Sequence, residues 1–397
     1  MGYKEFVGLS INRYLNYYLK LLGLCPFDVD DEDVLVRSKV LTMYTCFLCM
    51  IFTFMYLHVI TWRMFFMFAC ETPISVISDT ISSTLEFLTV MAVWINGVTS
   101  QNLLRNIITS FKIVANSLQQ FEGDDGYLEI LRKTNFVLLL MNVVYILAGI
   151  YTDSVRSHSA IINLTIWNLF NYLRMPAHII TVVFVSTLIL VKHQFRLANK
   201  SVSKVSTRIN SSLKIDILCE RTQCRDVEVN RLRALAQVYT DIREILKMVE
   251  IYFRAPILFF LLTHFINIAS YFYVICLHLK KGSAATITPT FLIFFLWLII
   301  HIVEVLATTE AVNSVVHQGN QTGNCFHQLI NEHYPTDVVD AVKIISLRIL
   351  QEPMKFSLYG LIDLNPGLLY KVCSAMTTYF VIMIQLDIQN NSDENQC

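Results

Sequence analysis

Charge is what this chain has least of. Only 16% of its 397 residues are Asp, Glu, Lys or Arg, against about a quarter in an ordinary soluble domain. Hydrophobic residues make up 54%, and the mean hydropathy is +0.51, so too little polar surface remains to cover a water-soluble globule of this length. The two signs balance, 31 basic against 31 acidic residues, which leaves no electrostatic footprint for nucleic acid and excludes it as an expected partner. Twelve glycines and eight prolines are too few for a low-complexity or collagen-like chain. Ten cysteines are scattered instead of framed; Cys46 and Cys49 have CxxC spacing but sit in an uncharged run, where they read as small hydrophobes. Cys325 and His327 lack the second ligand pair of a zinc site, and the histidines form no HExxH or comparable arrangement. No metal, cofactor or enzymatic activity is expected.

What is present is a set of long apolar runs. A membrane-spanning helix needs about 20 mostly apolar residues, and seven segments qualify: 40–62, 75–98, 134–152, 171–191, 256–279, 286–308 and 367–386. The second carries Asp79 and Glu86, the fourth Arg174 and His178, the seventh Lys371. The expected fold is an all-α membrane protein of seven transmembrane helices. The segment before the first span, with the acidic run 28–33, lacks the organisation of a cleaved signal peptide.

Orientation follows from Lys and Arg, which resist translocation in short loops. With the amino terminus inside, the inner segments 1–39, 99–133, 192–255 and 309–366 hold 5, 4, 13 and 3 basic residues, and the outer ones hold Arg63, Arg156, Lys280 and Lys281. The carboxy terminus is then outside. This divides the chain into a cytosolic segment (1–39), helices 1–4 (40–191), a cytosolic helical loop (192–255), helices 5–6 (256–308), a second cytosolic helical segment (309–366), a last helix (367–386) and an extracellular tail (387–397). The outer sequons Asn163 and, close to the membrane, Asn390 are glycosylation candidates, whereas Asn199, Asn210 and Asn320 fall inside.

The 192–255 loop is patterned. Leu232, Leu235, Tyr239, Ile242, Leu246, Val249 and Phe253 step alternately by three and four, a heptad seam. The loop is expected to be helical, its seam packed either within its own subunit or between subunits as an anchor bundle. Residues 338–352 read as a second amphipathic helix.

In the last span Thr378 and Gln385 are seven residues apart and share a helix face with Lys371, Ser374 and Ile382. A glutamine at that depth must face protein or water. Thr378-Tyr379, five hydrophobics, then Gln385-Leu386 resembles the carboxy-terminal TYhhhhhQF signature of insect gustatory receptors, with Leu386 in place of phenylalanine. Lys355 to Gly360 followed by Leu361 to Leu364 is similar to the family's aromatic-x-x-x-Gly segment before that helix. The resemblance implies a homotetrameric, ligand-gated, non-selective cation channel in the plasma membrane of chemosensory neurons, related to insect odorant receptors and built of identical or other gustatory receptor subunits surrounded by lipid. It implies that the last span lines the pore, with Gln385 and Leu386 as the outer constriction. Independently of the family, Ile382 and Leu386 are suited to a hydrophobic plug that blocks ions by dewetting.

A small-molecule pocket should be mostly apolar and aromatic with a few polar groups, and open outward. The candidates are Asp79 and Glu86 on span two, Tyr145, Asn171 and His178 on spans three and four, and Asn267, Tyr271 and Trp297 on spans five and six. Glu86 ranks first as an intramembrane acid, with a salt bridge to Arg174 as its structural alternative. His301 and Glu304 read as couplers of span six to the cytosolic bundle. Family sugar receptors often place an acid after Thr-Tyr; Phe380 stands there, which points to a bitter or other non-sugar tastant. An odorant-type channel is the nearest rival. A G-protein-coupled receptor would use Asn365-Pro366 through Tyr370 as its NPxxY, but three residues intervene instead of two and the orientation is opposite.

Overall fold

The computed structural model describes residues 19–24, 27–29, 35–62, 73–119, 143–151, 161–212, 218–280, 289–328 and 336–394, with isolated positions between 121 and 140. Helices dominate: α1 (Lys39–Trp62), α2 (Pro73–Thr99), α3 (Gln101–Gln119), α4 (143–151), α5 (Ile161–Ser212), α6 (Leu218–Lys280), α7 (Pro289–Gln328), α8 (Thr336–Gln351) and α9 (Pro366–Glu394). Two short antiparallel hairpins depart from an all-α chain, β1 (Phe27–Val29) with β2 (Leu35–Arg37) and β3 (Ser357–Leu358) with β4 (Ile362–Asp363). Over its described residues each apolar segment found in the sequence lies on a helix, the third described chiefly over 143–151. Among the described residues five helices are long and apolar enough to cross a membrane: α1, α2, α5, α6 and α7.

The long helices exceed what a bilayer requires. With 63 residues, α6 is roughly 95 Å long at 1.5 Å per residue, about three times a hydrocarbon core. Its polar first half is therefore an extension of the spanning helix. The heptad seam lies on that half and is buried within the single chain: Leu232, Ile242 and Val249 are fully covered, with Phe195 of α5 against Tyr239 at 5.7 Å and Phe184 of α5 against Phe253 at 5.1 Å. Of the two readings of the seam, packing within its own subunit holds. One helix escaped the sequence reading: α3 occupies the supposed 99–133 loop and buries Ile107, Phe111, Val114 and Leu118, a three-and-four spacing that was there to be read.

Pro256 sits inside α6. Proline has no N–H, so the carbonyl four residues earlier loses its helical donor. That carbonyl belongs to Tyr252, and Asn96 of α2 donates its side-chain amide to it at 2.6 Å. The outer face of α1 shows the opposite chemistry: Val40, Met43, Phe47, Met50, Phe54 and Leu57 are exposed at steps of three and four, a stripe suited to lipid.

The segment between α8 and α9 is a strap locked to the bundle. Asn320 of α7 accepts the Met354 N–H at 2.7 Å and donates to the Met354 carbonyl at 3.2 Å. Met354 lies over Gly319, where a Cβ would come within 1.8 Å of its terminal methyl. Phe356 is buried against Phe184 at 5.6 Å, and Glu250 of α6 accepts the Ser357 N–H at 3.4 Å. Tyr359 and Gly360 both take positive φ, 54° and 69°, the pairing a tight hairpin turn demands. Glycine adopts it freely; Tyr359 is held by Arg254, whose guanidinium lies 4.6 Å from the ring centre. Asn365 then caps α9 by accepting the Leu368 N–H at 3.1 Å, with Pro366 as the first helical residue. Asn365-Pro366 is thus a helix start.

Candidate functional site

Two polar layers cross the apolar bundle and meet on α6. In the first, Ser82 of α2 donates to the side-chain carbonyl of Asn267, whose amide in turn lies 3.4 Å from a Glu86 carboxylate oxygen. Thr89 and Thr263 face each other one turn or so along, at 3.3 Å. Glu86 and Asn267, both expected in a pocket, are therefore joined in a bond between α2 and α6. Arg174, the alternative partner of Glu86, lies outside the described side chains, as do Asp79, Asn171, Asn163, Asn390 and Leu386.

The second layer is centred on Glu304 of α7. His178 of α5 places Nδ1 at 3.1 Å from Oε1, and His264 of α6 places Nε2 at 2.6 Å from Oε2. His301, one turn before Glu304, brings Nδ1 within 4.0 Å of Oε2. The Glu304 side chain is 12% exposed and that of His264 2%, so the carboxylate is held by imidazoles almost out of contact with solvent. A buried carboxylate without such donors would carry a large desolvation cost. Helices α5 and α6 are thereby tied to one side chain of α7.

Aromatic rings wall this layer. Tyr145 of α4 lies 3.7 Å from the His178 ring and meets Trp297 of α7 edge to face at 5.1 Å. Tyr271 of α6 stacks on His301 at 5.6 Å, Trp297 lies 5.9 Å from the same ring, and Phe260 packs on His264 at 3.8 Å. Tyr145, His178, Tyr271 and Trp297 were all ligand candidates from the sequence, and the structure gathers them. His264 was not among them. Glu304 and His301, read as couplers to the cytosolic bundle, instead join His178 and His264 between the apolar helices; the rule that promoted Glu86, an acid inside a span, applied equally to Glu304. A surface cleft of ≈ 300 Å³ between α2 and α6, lined by Leu88, Met91, Ile95 and Phe259 among others, contains none of these residues.

The last helix packs on one side only. Tyr379 reaches Ser78 of α2 with its hydroxyl at 3.2 Å, and Phe380 packs on Phe272 of α6 at 5.1 Å; with Ile384 they rest on buried Ala269 and Tyr273. Thr378 and Gln385 are exposed, as is Ile382 at 46%. The predicted stripe is therefore part of the surface of α9 that its own chain leaves uncovered, together with Tyr370, Thr377 and Val381.

Apolar helices of spanning length, a carboxylate held by histidines within an aromatic wall, and a final helix presenting a polar stripe define a multi-pass helical membrane protein with a buried polar centre. A sequence profile described as 7tm Chemosensory receptor matches residues 13–390. The chain belongs to that chemosensory receptor family. Three Drosophila melanogaster proteins named as gustatory receptors are similar in part: 28b is 24% identical over 29% of this chain and 24% of its own length, 28a is 22% identical over 41% and 37%, and 59d is 21% identical over 57% and 59%. The aligned regions thus span less than two thirds of these relatives. The fold is similar to that of the insect olfactory receptor OR5 from Machilis hrabei, with a TM-score of 0.65 at 12% identity over 96% of this chain and all of that one. A second structure of the same receptor, in complex with eugenol, gives a TM-score of 0.66 at 13% identity over 94% and 97%.

Proposed function

We propose that this protein is a gustatory receptor that works as a tastant-gated cation channel, with seven spans, the amino terminus inside, and a pore built by α9 helices of four subunits, identical or drawn from other gustatory receptors. The observation that carries this reading is the one-sided packing of α9. Its Tyr379–Phe380 face is docked, and Thr378, Ile382 and Gln385, at i, i+4 and i+7 on the same helix, stay uncovered. In a membrane an uncovered glutamine needs protein or water opposite it, and a central water-filled path shared by several copies supplies both. Ile382 and Leu386 then close the path by dewetting, and rotation of α9 to present Gln385 and Thr378 rehydrates it.

The ligand is a small organic molecule read by the aromatic wall of Tyr145, Tyr271 and Trp297, with the Glu304 layer and the Glu86–Asn267 pair as polar groups. The eugenol complex of the matched olfactory receptor supports a small organic ligand as the class. The aromatic wall and Phe380 favour a bitter or other non-sugar tastant. The strap offers the coupling route, because it joins α6 and α7 to the start of α9. Expressed alone in cells without added G protein, the protein should give tastant-evoked cation current; surface protein with no current overturns the channel reading. Gln385→Ala should change ion permeation or open probability, and an unaltered current removes Gln385 from the gate. Response to a volatile odorant panel and not to tastants would select the odorant-type reading.

A further inference from the structure

We infer that His264, His301 and Glu304 form a binding site for one borderline divalent metal ion, Zn²⁺ foremost, with His178 holding the second carboxylate oxygen from outside the ligand set. This goes beyond the channel reading and does not depend on it. The ligand atoms of His264, His301 and Glu304 all lie within 4.8 Å of one another, and His178 Nδ1 stands on the other oxygen of the same carboxylate at 3.1 Å. Bonds of about 2.0–2.2 Å to nitrogen and oxygen give tetrahedral edges near 3.3 Å, which the separations of 2.6 and 4.0 Å from Glu304 Oε2 to His264 Nε2 and His301 Nδ1 bracket. Three protein ligands leave a fourth position for water.

Hydrogen-bond chemistry supplies an independent argument. His264 Nδ1 lies 2.9 Å from the Phe260 carbonyl oxygen, which can only accept, so Nδ1 carries a hydrogen. Nε2 of the same ring then offers its lone pair toward Glu304 Oε2 at 2.6 Å, and an ionised carboxylate also only accepts. A positive species must sit between the two atoms: a proton in the metal-free protein, or a metal ion that displaces it. The ring nitrogen held by a backbone carbonyl is also the usual support for a metal-bound histidine, fixing its tautomer and aim. Two imidazoles and one carboxylate, with no thiolate, select zinc or copper over calcium and magnesium, which require mostly oxygen ligands. A bound ion would clamp α6 and α7 together behind the aromatic wall.

The test is Zn²⁺ binding to the purified full-length protein in detergent, by equilibrium dialysis with metal analysis. Wild type should take up one equivalent per chain at micromolar free Zn²⁺, and Zn²⁺ should raise its apparent thermal midpoint. Glu304→Gln and His264→Asn should each weaken binding by no less than the about tenfold that loss of an outer-shell partner alone brings, while His317→Ala, an exposed histidine elsewhere on α7, should bind as wild type. His301→Asn, which spares both short contacts to the carboxylate, provides the loss-of-ligand variant if the other two fail to fold. A wild-type protein that takes up no Zn²⁺ at millimolar concentration shows that a proton alone bridges the pair and overturns the inference. Equal uptake by wild type and by folded His301→Asn or Glu304→Gln overturns it as well, because the metal is then bound elsewhere.

Discussion

Removing the Asn96 side chain should destabilise the protein through a single carbonyl oxygen. Pro256 denies Tyr252 its helical donor, and the Asn96 amide replaces that donor at 2.6 Å. Asn96→Ala leaves the carbonyl without it, in a part-buried position between α2 and α6. An unsatisfied buried polar group costs about 1–3 kcal/mol, whereas side-chain hydrogen bonds between membrane helices average about 0.6 kcal/mol and reach about 1.7. The two figures together place the loss at about 1–2 kcal/mol, a fall of roughly 2–4 °C in midpoint at the lower slope seen for larger chains. The diagnostic comparison is Asn96→Ala in a Pro256→Ala background, where the backbone regains an N–H able to reach the Tyr252 carbonyl. There the same substitution should cost less than half as much. The four proteins of this double-mutant cycle, purified in one detergent, are compared by intrinsic-fluorescence thermal unfolding. Equal losses in both backgrounds would show that the Tyr252 carbonyl is not what Asn96 serves, since Ser100 also bonds to Asn96 and would account for a background-independent effect.

Asn320→Ala removes both hydrogen bonds to the Met354 backbone; at about 1 kcal/mol each the apparent stability should fall by about 2 kcal/mol, and proteolysis at the strap between α8 and α9 should accelerate, with unchanged cleavage arguing that Asn320 does not hold the strap. Tyr145→Ala opens the aromatic wall beside His178 and Trp297 and should shift the tastant dose–response curve by tenfold or more without changing maximal current. An unshifted curve would place the ligand elsewhere.

The helices were largely legible because periodicity is a local property. The apolar runs, the seam from Leu232 to Phe253 and the amphipathic 338–352 segment each announced a buried face, and the structure places each on a helix. The strap was legible only as a resemblance. Its hairpin depends on Tyr359 accepting a positive φ, which a tyrosine in sequence does not advertise and which Arg254, more than a hundred residues earlier, helps to hold. Asn320 read as an unused sequon; in the fold both polar atoms of its side chain are engaged by Met354. Asn199 likewise donates to the Gln318 carbonyl at 3.1 Å.

The site was half legible. Tyr145, His178, Tyr271 and Trp297 were selected as polar or aromatic residues on apolar helices, and Glu86 as an intramembrane acid, all from composition and position along a span. What they would meet was not available in that form. Glu304 is 126 residues from His178 and 40 from His264, and Asn96 is 156 from Tyr252. The sequence by itself determined that this is a membrane protein of long helices, since too few charges exist to clothe it in water, and that the last helix carries a stripe needing a polar neighbour. Only the tertiary structure decided that the seam packs inside its own chain, that α9 leaves its stripe open, and that three histidines converge on Glu304. The physical reason is that helical periodicity records which face of a helix is buried, while the identity of the group opposite depends on how helices far apart in sequence cross.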